Sequence, residues 1–305
     1  MDADGDFVVA WISYDQDGDG WGVFAQRYSV AGSQLGAEFQ VNSTTTGRQF
    51  SPAVGMDEDG DFIITWESDQ NSSSENDIYA RRYHSDGTPI GSEFRVNSHT
   101  SSSQFRPAIS VEKDGDFIIT WVSVDQDGSG FGIYAQRYDS LGTPQGGEFQ
   151  VNTWTTGQQY FPSVGTDDSG NFVISWMSNL QDGDSQGIYA QRYDSSGQPQ
   201  GQEFPVNSYT TGAQSFASVR VDADGDFVVA WQSDGQDGSG YGIYARRFNA
   251  IGEPQANEFQ VNSSTEGAQR DVGISIDAAG NFVITWKSAL LADREILAKQ
   301  FDASG

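Results

Sequence analysis

Residues 221–231 read VDADGDFVVAW, and this stretch sets the pattern on which the chain is built. Its Gly-Asp/Asn-Phe core recurs every 55 residues, and a tryptophan follows each copy at the same distance. A fixed period of this length indicates one repeated supersecondary unit, with each copy burying its apolar faces against its neighbours. The copies begin at Gly5, Gly60, Gly115, Gly170, Gly225 and Gly280, followed by Trp11, Trp66, Trp121, Trp176, Trp231 and Trp286.

One repeat contains four short stretches with the pattern of β-strands. In the fourth copy these are residues 161–166, 171–176, 187–193 and 203–207, separated by Gly- and Asp-containing turns. No segment has a helical period of useful length. Four antiparallel strands repeated six times predict an all-β fold, a β-propeller of six four-stranded blades, with residues 1–305 forming a single domain. The first blade is expected to lack its inner strand and the last its outer strand.

The first strand of each repeat carries small residues at alternate positions, as an innermost strand beside a narrow central channel requires. The last of these positions holds Gly55, Ser110, Gly165 and Ser275 in four copies, but Arg220 in the fifth. A single cation facing a channel is a candidate for binding an anion or a carboxylate. Pairing with acidic turn residues is the alternative.

The motif in residues 221–231, followed by 243–252 (IYARRFNAIG), resembles the blades of NHL-type propellers. It is even more similar to tandem repeats of large secreted or surface-attached bacterial proteins. The resemblance covers the whole chain and implies the propeller fold. It implies little about function, because propellers include enzymes, lectins and scaffolds.

The chain has 305 residues and a formal net charge of −27. Such a charge disfavours nucleic acid and bare anionic membranes as partners, and no apolar run is long enough for direct membrane insertion. The chain contains no cysteine, which excludes thiol chemistry but does not identify a compartment. A polar, lysine-poor composition favours an extracellular or cell-surface location on a bacterium, as part of a longer chain. Open blade edges predict possible self-association.

An acidic loop follows the tryptophan strand and begins like a calcium-binding loop, with alternating carboxylates and a glycine at the sixth position. Position twelve, where a bidentate glutamate is needed, is Gln26 or Gln136. A hairpin loop without metal is therefore the alternative to Ca²⁺. The candidate ligands are Asp15, Asp17, Asp19, Asp125, Asp127, Asp182, Asp184 and Asp237.

Two further patterns accompany the loops. Trp21 and Tyr241 are aromatic residues that differ between copies, and exposed rings of this kind can stack on sugars. An arginine of the third strand and a glutamate before the fourth recur in five copies, which predicts a cross-strand ion pair in each blade; Arg82 with Glu93 is one example.

Catalytic motifs are absent from the sequence: His84 and His99 match no metal or triad spacing. The first hypothesis is therefore a non-enzymatic extracellular module, acting as a scaffold or adhesion domain with a protein or glycan partner at its loops. A multivalent carbohydrate-binding lectin is one alternative. A glycan hydrolase or lyase working at the channel mouth is the other.

Overall fold

The computed structural model describes residues 1–70, 75–290 and 293–305. Within them the chain forms antiparallel β-sheets and no helix. None of the described residues therefore belongs to a helix that could cross a membrane. The chain forms two compact units, Met1–Gln150 and Val151–Gly305, each with three sheets.

The first unit contains eleven strands in three sheets, and in each sheet the strands follow one another in sequence order. The strands are β1 (Phe7–Tyr14), β2 (Trp21–Tyr28), β3 (Gln34–Gln40), β4 (Gln49–Met56), β5 (Phe62–Ser68), β6 (Asp77–Tyr83), β7 (Pro89–Arg95), β8 (Gln104–Val111), β9 (Phe117–Val124), β10 (Phe131–Tyr138) and β11 (Phe149–Gln150).

The second unit repeats this arrangement with eleven further strands. They are β12 (Gln159–Thr166), β13 (Phe172–Asn179), β14 (Gln186–Tyr193), β15 (Phe204–Pro205), β16 (Gln214–Val221), β17 (Phe227–Asp234), β18 (Tyr241–Phe248), β19 (Phe259–Gln260), β20 (Ala268–Ile276), β21 (Phe282–Leu290) and β22 (Asp293–Phe301).

The predicted fold class is confirmed: the chain is an all-β, six-bladed propeller. The sheets β1–β3 and β20–β22 have three strands and the others four, so the first and last blades are incomplete as predicted. The outer strand is shorter than expected in three blades, where β11, β15 and β19 have two residues each. The extent of the domain and the self-association through blade edges remain predictions.

The second strand of each complete blade is the centre of the core. Trp66, Trp121, Trp176 and Trp231 have no exposed surface. At the other end of this strand an aromatic ring stacks on one from the third strand, as Phe227 does on Phe248 with ring centroids 4.9 Å apart. Burial of such large rings supplies the apolar area that the modest aliphatic content does not.

The predicted Arg–Glu pair is wrong in the second blade. Ala80 stands opposite Phe94, and beyond a register shift Arg82 stands opposite Ile90, so Arg82 and Glu93 are not a cross-strand pair. Nη1 of Arg82 donates to the carbonyl of Ser140 in the next blade, at 2.6 Å. Arg27 and Arg192 likewise donate to carbonyls 59 residues further along the chain.

The glutamates of the predicted Arg–Glu pairs make other hydrogen bonds. Oε2 of Glu148 accepts a hydrogen bond from the backbone N–H of Ser98, and Oε1 accepts one from Nε2 of Gln126. Glu203 has the equivalent contacts with Thr153 and Gln181. Both groups therefore connect neighbouring segments of the repeat instead of pairing with one another.

Candidate functional site

Two connections of the repeat lie at the same end of each sheet: the acidic loop and the segment that leads into the inner strand. In the second blade Gln49 opens the inner strand and stands opposite Ser68, the last residue of β5, which in turn stands opposite Asp77. The acidic loop and the entry to the inner strand therefore lie at the same end, which is called here the loop end. The tight Asp-x-Asp-Gly turns lie at the other end, the turn end.

Every inner strand has a bulge shortly after it begins at the loop end. The register shifts there in all five inner strands, and a non-glycine residue takes a left-handed backbone conformation. Such a conformation is costly for a bulky residue and is concentrated at functional positions. The five residues and their φ angles are Ser51 (47°), Arg106 (54°), Phe161 (52°), Phe216 (55°) and Asp271 (57°).

The five bulge residues have different chemistry although their backbone is the same. The repeat thus preserves the geometry at this place and varies the side chain, which is what a binding surface built on a symmetric scaffold requires. Sequence reasoning did not identify this site. The signal was present in the alignment of copies as a position that changes from Ser to Arg, Phe, Phe and Asp.

In the first unit a carboxylate is buried beside one of these bulges. Glu67 is 7% exposed and follows the core residue Trp66. Its Oε1 accepts a hydrogen bond from the backbone N–H of Arg106 at 2.7 Å, and its Oε2 accepts one from Nδ2 of Asn76 at 3.4 Å. The equivalent residue of the third blade is Val122, so this carboxylate departs from the repeat.

In the second unit two aromatic bulge residues meet. The ring centroids of Phe161 and Phe216 lie 4.0 Å apart, and Tyr160 lies 5.9 Å from Phe161. Phe216 is 37% exposed. A phenylalanine held in a left-handed conformation with its ring in water offers an apolar platform at the loop end.

A hydrogen-bonded path joins this platform to the bulge of the next blade. Nε2 of the buried Gln232 donates to Oγ of Ser215, the neighbour of Phe216, at 3.1 Å. Oε1 of Gln232 accepts from the backbone N–H of Asp271 at 3.3 Å. Asp271 is exposed, and its Oδ2 lies 3.4 Å from Nζ of Lys287. Asp271 therefore presents a carboxyl group close to an apolar surface.

The predicted calcium ligands mostly bond their own loop. Oδ1 of Asp15 and of Asp125 accepts from the N–H five residues ahead, and Oδ1 of Asp17, Asp127 and Asp237 accepts from the N–H two residues ahead. In the fourth blade Asp182 accepts from Asp184, whose own Oδ2 accepts from Gly212. Burial raises the pKa of Asp182. The remaining predicted ligand, Asp19, contributes its backbone N–H to the hydrogen bond with Asp17.

Across the part of the chain that the structure describes, no three His, Asp or Glu side chains are grouped to bind a metal ion. Calcium binding remains a prediction, which a titration of the melting temperature with Ca²⁺ against Mg²⁺ can test.

The remaining site residues lie at different places. Arg220 is near the turn end of β16, where its Nη1 donates to the carbonyl of Val219 at 2.7 Å. Burial lowers its pKa. Trp21 packs edge-on against Tyr14, and the guanidinium of Arg270 lies 4.3 Å from the ring centroid of Tyr241. Tyr241 thus stands beside Arg270, the neighbour of the bulge residue Asp271 in the chain. Ligand binding by Arg220, Trp21 and Tyr241 remains a prediction.

No protein-family model and no curated protein matches the chain. Several solved structures match it. The α-L-arabinofuranosidase of Fusarium graminearum has a TM-score of 0.66 and 13% identity, over 100% of this chain and 92% of that one. The α-L-arabinanase of Penicillium chrysogenum has a TM-score of 0.57 and 16% identity, over 98% and 90%. A Dyadobacter fermentans protein of unknown function has a TM-score of 0.59 and 12% identity, over 87% and 81%.

At these identities the likeness concerns the fold alone, and it supports a six-bladed propeller. It gives no support for the predicted resemblance to NHL-type repeats. The comparisons contradict the prediction of a non-enzymatic scaffold or adhesion module. The structures that match almost the entire chain include two enzymes that cleave glycosidic bonds. The expectation that the chain is not an enzyme is therefore corrected.

Proposed function

We propose that this protein is a glycan-cleaving enzyme, a glycoside hydrolase, whose working surface is the loop end of the inner strands. The observation that carries the proposal is the set of five strained bulges, where one backbone geometry carries five different side chains. The fold likeness to an α-L-arabinanase and an α-L-arabinofuranosidase supports glycan cleavage as the kind of reaction. A lyase is the second candidate, because a polysaccharide lyase also shares the fold, with a TM-score of 0.57 and 8% identity over 93% of this chain and 70% of that one.

The second unit offers the two features that a sugar site combines. The exposed ring of Phe216 and the adjacent Phe161 offer an apolar face on which a sugar ring can stack. Asp271, held by Gln232 and Lys287, offers a carboxylate at the neighbouring bulge. Glycosidic hydrolysis uses carboxyl groups as nucleophile, base or acid, and Asp271 is the candidate for one of these roles.

In the first unit Glu67 is the candidate carboxylate. It is buried, and two N–H donors fix its orientation. A carboxylate fixed in this way needs no reorganisation during a reaction, which is the property that preorganised catalytic groups share. The proposal extends to a glycan partner at the loop end and to an extracellular location on a bacterium.

The test is a cleavage assay on the full chain with arabinan, arabino-oligosaccharides, other neutral plant glycans and polygalacturonate. New reducing ends report hydrolysis, and the ultraviolet absorbance of an unsaturated sugar reports a lyase. Asp271→Asn and Glu67→Gln are assayed separately, and each is expected to lower kcat by about 10²-fold or more if it carries acid–base chemistry.

Asp277→Asn is the matched control, because it makes the same change in the same blade at the turn end. Asp277 accepts hydrogen bonds from its own turn, which asparagine can also accept. Cleavage that survives in both variants would refute the assigned residues. Binding of a glycan without cleavage by the wild-type protein would identify a lectin, and neither binding nor cleavage would refute the proposal as a whole.

A further inference from the structure

In the last blade two cations face each other across the sheet. Arg270 of β20 stands directly opposite Lys287 of β21. Directly opposed residues share one face of the sheet with their Cβ atoms about 5 Å apart, and like charges at this distance destabilise the sheet. An uncharged residue at either position would remove this repulsion, so the presence of both cations calls for an explanation.

The same pair of positions is apolar or hydrogen-bonded in the third, fourth and fifth blades, and in the second blade Phe50 stands opposite Glu67. Phe105 stands opposite Val122, and Tyr160 stands opposite Met177. In the fifth blade Ser215 and Gln232 are hydrogen-bonded to one another. The cation pair is therefore a departure of the last blade from the repeat, and propeller architecture does not demand it.

Only one of the two cations is neutralised by the protein. Lys287 has Asp271 at 3.4 Å. Among the residues that the structure describes, Arg270 makes no ion pair and no hydrogen bond through its side chain, and the guanidinium lies over the ring of Tyr241. The chain contains 43 acidic and 16 basic residues, so an arginine without an acidic partner is not explained by a shortage of carboxylates.

We propose that Arg270 and Lys287 form a subsite for the carboxylate of an acidic sugar, such as a uronate or a sialate. This inference rests on the proposed function and names its substrate class. A guanidinium presents paired N–H donors that match the two oxygens of a carboxylate. The ring of Tyr241 holds the guanidinium plane from one side, and the bound anion removes the repulsion between the two cations.

The place of the pair agrees with this assignment. Arg270 is exposed and directly precedes the bulge residue Asp271 in the chain. The inner strands β16 and β20 pack against each other, so the exposed ring of Phe216 belongs to the neighbouring strand. A sugar stacked on that ring would thus meet the cations at the loop end of the same unit.

The test measures binding by calorimetry to four probes: tetragalacturonate, its carboxyl-reduced neutral form, sialyllactose and lactose. The proposal expects the wild-type protein to prefer one acidic probe over its neutral partner. Arg270→Gln is expected to weaken binding of that probe by about tenfold or more and to leave the neutral probe unchanged. The two acidic probes distinguish a uronate from a sialate.

Arg247→Gln is the matched control, since it removes the same charge at the turn end of the adjacent blade. Tyr241→Leu, which removes the ring under the guanidinium, is a second variant and is expected to weaken the acidic probe as well. Equal binding of acidic and neutral probes, or equal loss in Arg270→Gln and Arg247→Gln, would refute the subsite and leave glycan cleavage intact. If none of the four probes binds, the subsite is refuted, and the cleavage assays on neutral glycans then decide the proposed function on their own.

Discussion

Oδ1 of Asp77 accepts a hydrogen bond of 2.7 Å from Nδ2 of Asn97. In four other blades the position of Asp77 is a glycine, and an aspartate of the acidic loop lies over it; the glycines are Gly22, Gly132, Gly187 and Gly242. At Gly132 an added Cβ would lie 2.9 Å from Oδ2 of Asp127. The second blade therefore supplies from its strand the carboxylate that other blades supply from their loop.

This exchange predicts a compensating pair of substitutions in the third blade. Gly132→Asp alone places two carboxylates in one space, and we expect a loss of about 1–3 kcal/mol of unfolding free energy. Gly132→Asp combined with Asp127→Ser recreates the arrangement of the second blade and should recover most of the loss. A double-mutant cycle from urea unfolding measures the coupling. Additive losses would mean that the two carboxylates do not share a location.

The buried tryptophans should carry a large share of stability. Trp121 has no exposed surface, and its Nε1 donates to Oε1 of Gln104 at 3.2 Å. We expect Trp121→Ala to cost about 3–5 kcal/mol, because it removes a large buried ring and leaves a cavity. Trp154, which is 38% exposed, is the control, and its alanine variant should differ little from wild type. Equal effects in the two thermal melts would contradict the packing described for the second strand.

Arg82 and Glu93 should behave as independent residues. Arg82 donates to the carbonyl of Ser140, whereas Glu93 accepts from Ser43 and Thr44 of the preceding connection. We expect Arg82→Met and Glu93→Gln each to destabilise the fold, with a coupling energy within about 0.5 kcal/mol of zero. A larger favourable coupling energy would instead support the cross-strand ion pair that the sequence predicted.

The turn aspartate Asp222 should make stability depend on pH in a defined direction. Burial raises the pKa of Asp222, so the folded state holds its proton more strongly than the unfolded state does. Its contribution is therefore present at low pH and is lost as the pH rises through the raised pKa.

Asp222→Asn should consequently raise the melting temperature at pH 7, and the gain should vanish in acid, where both side chains are neutral. Its Oδ1 accepts hydrogen bonds from Asp224 and Asp226, which asparagine preserves. Asp277→Asn is the comparison, because hydrogen bonds from Asn281 lower the pKa of Asp277 and its effect on the melting temperature should have the opposite sign. A gain for Asp222→Asn that does not change with pH would contradict the role assigned to its charge.

The repeat made the fold predictable from the sequence, since local patterns and the 55-residue period agree in every copy. The strand carrying Trp176, the tight turn at Gly170 and the missing strands at both ends were all predicted. The Arg82–Glu93 pair was not predictable in the same way, because the register shifts between Ala80 and Arg82, and such a shift changes which side chains stand opposite each other. The expectation that the chain is not an enzyme was also wrong, because propellers with and without enzymatic activity share one repeat architecture and the sequence carries no catalytic motif that separates them.

The sequence by itself determined which residues are buried in each blade, because burial follows from the alternation of apolar side chains along strands with a regular period. Only the tertiary structure decided which variable residues meet at the loop end. Phe161 and Phe216 are 55 positions apart, Arg270 and Lys287 belong to different strands, and packing or pairing between strands brings each pair together. Contacts of this kind depend on register and on the approach of neighbouring strands, which no local pattern in the chain encodes.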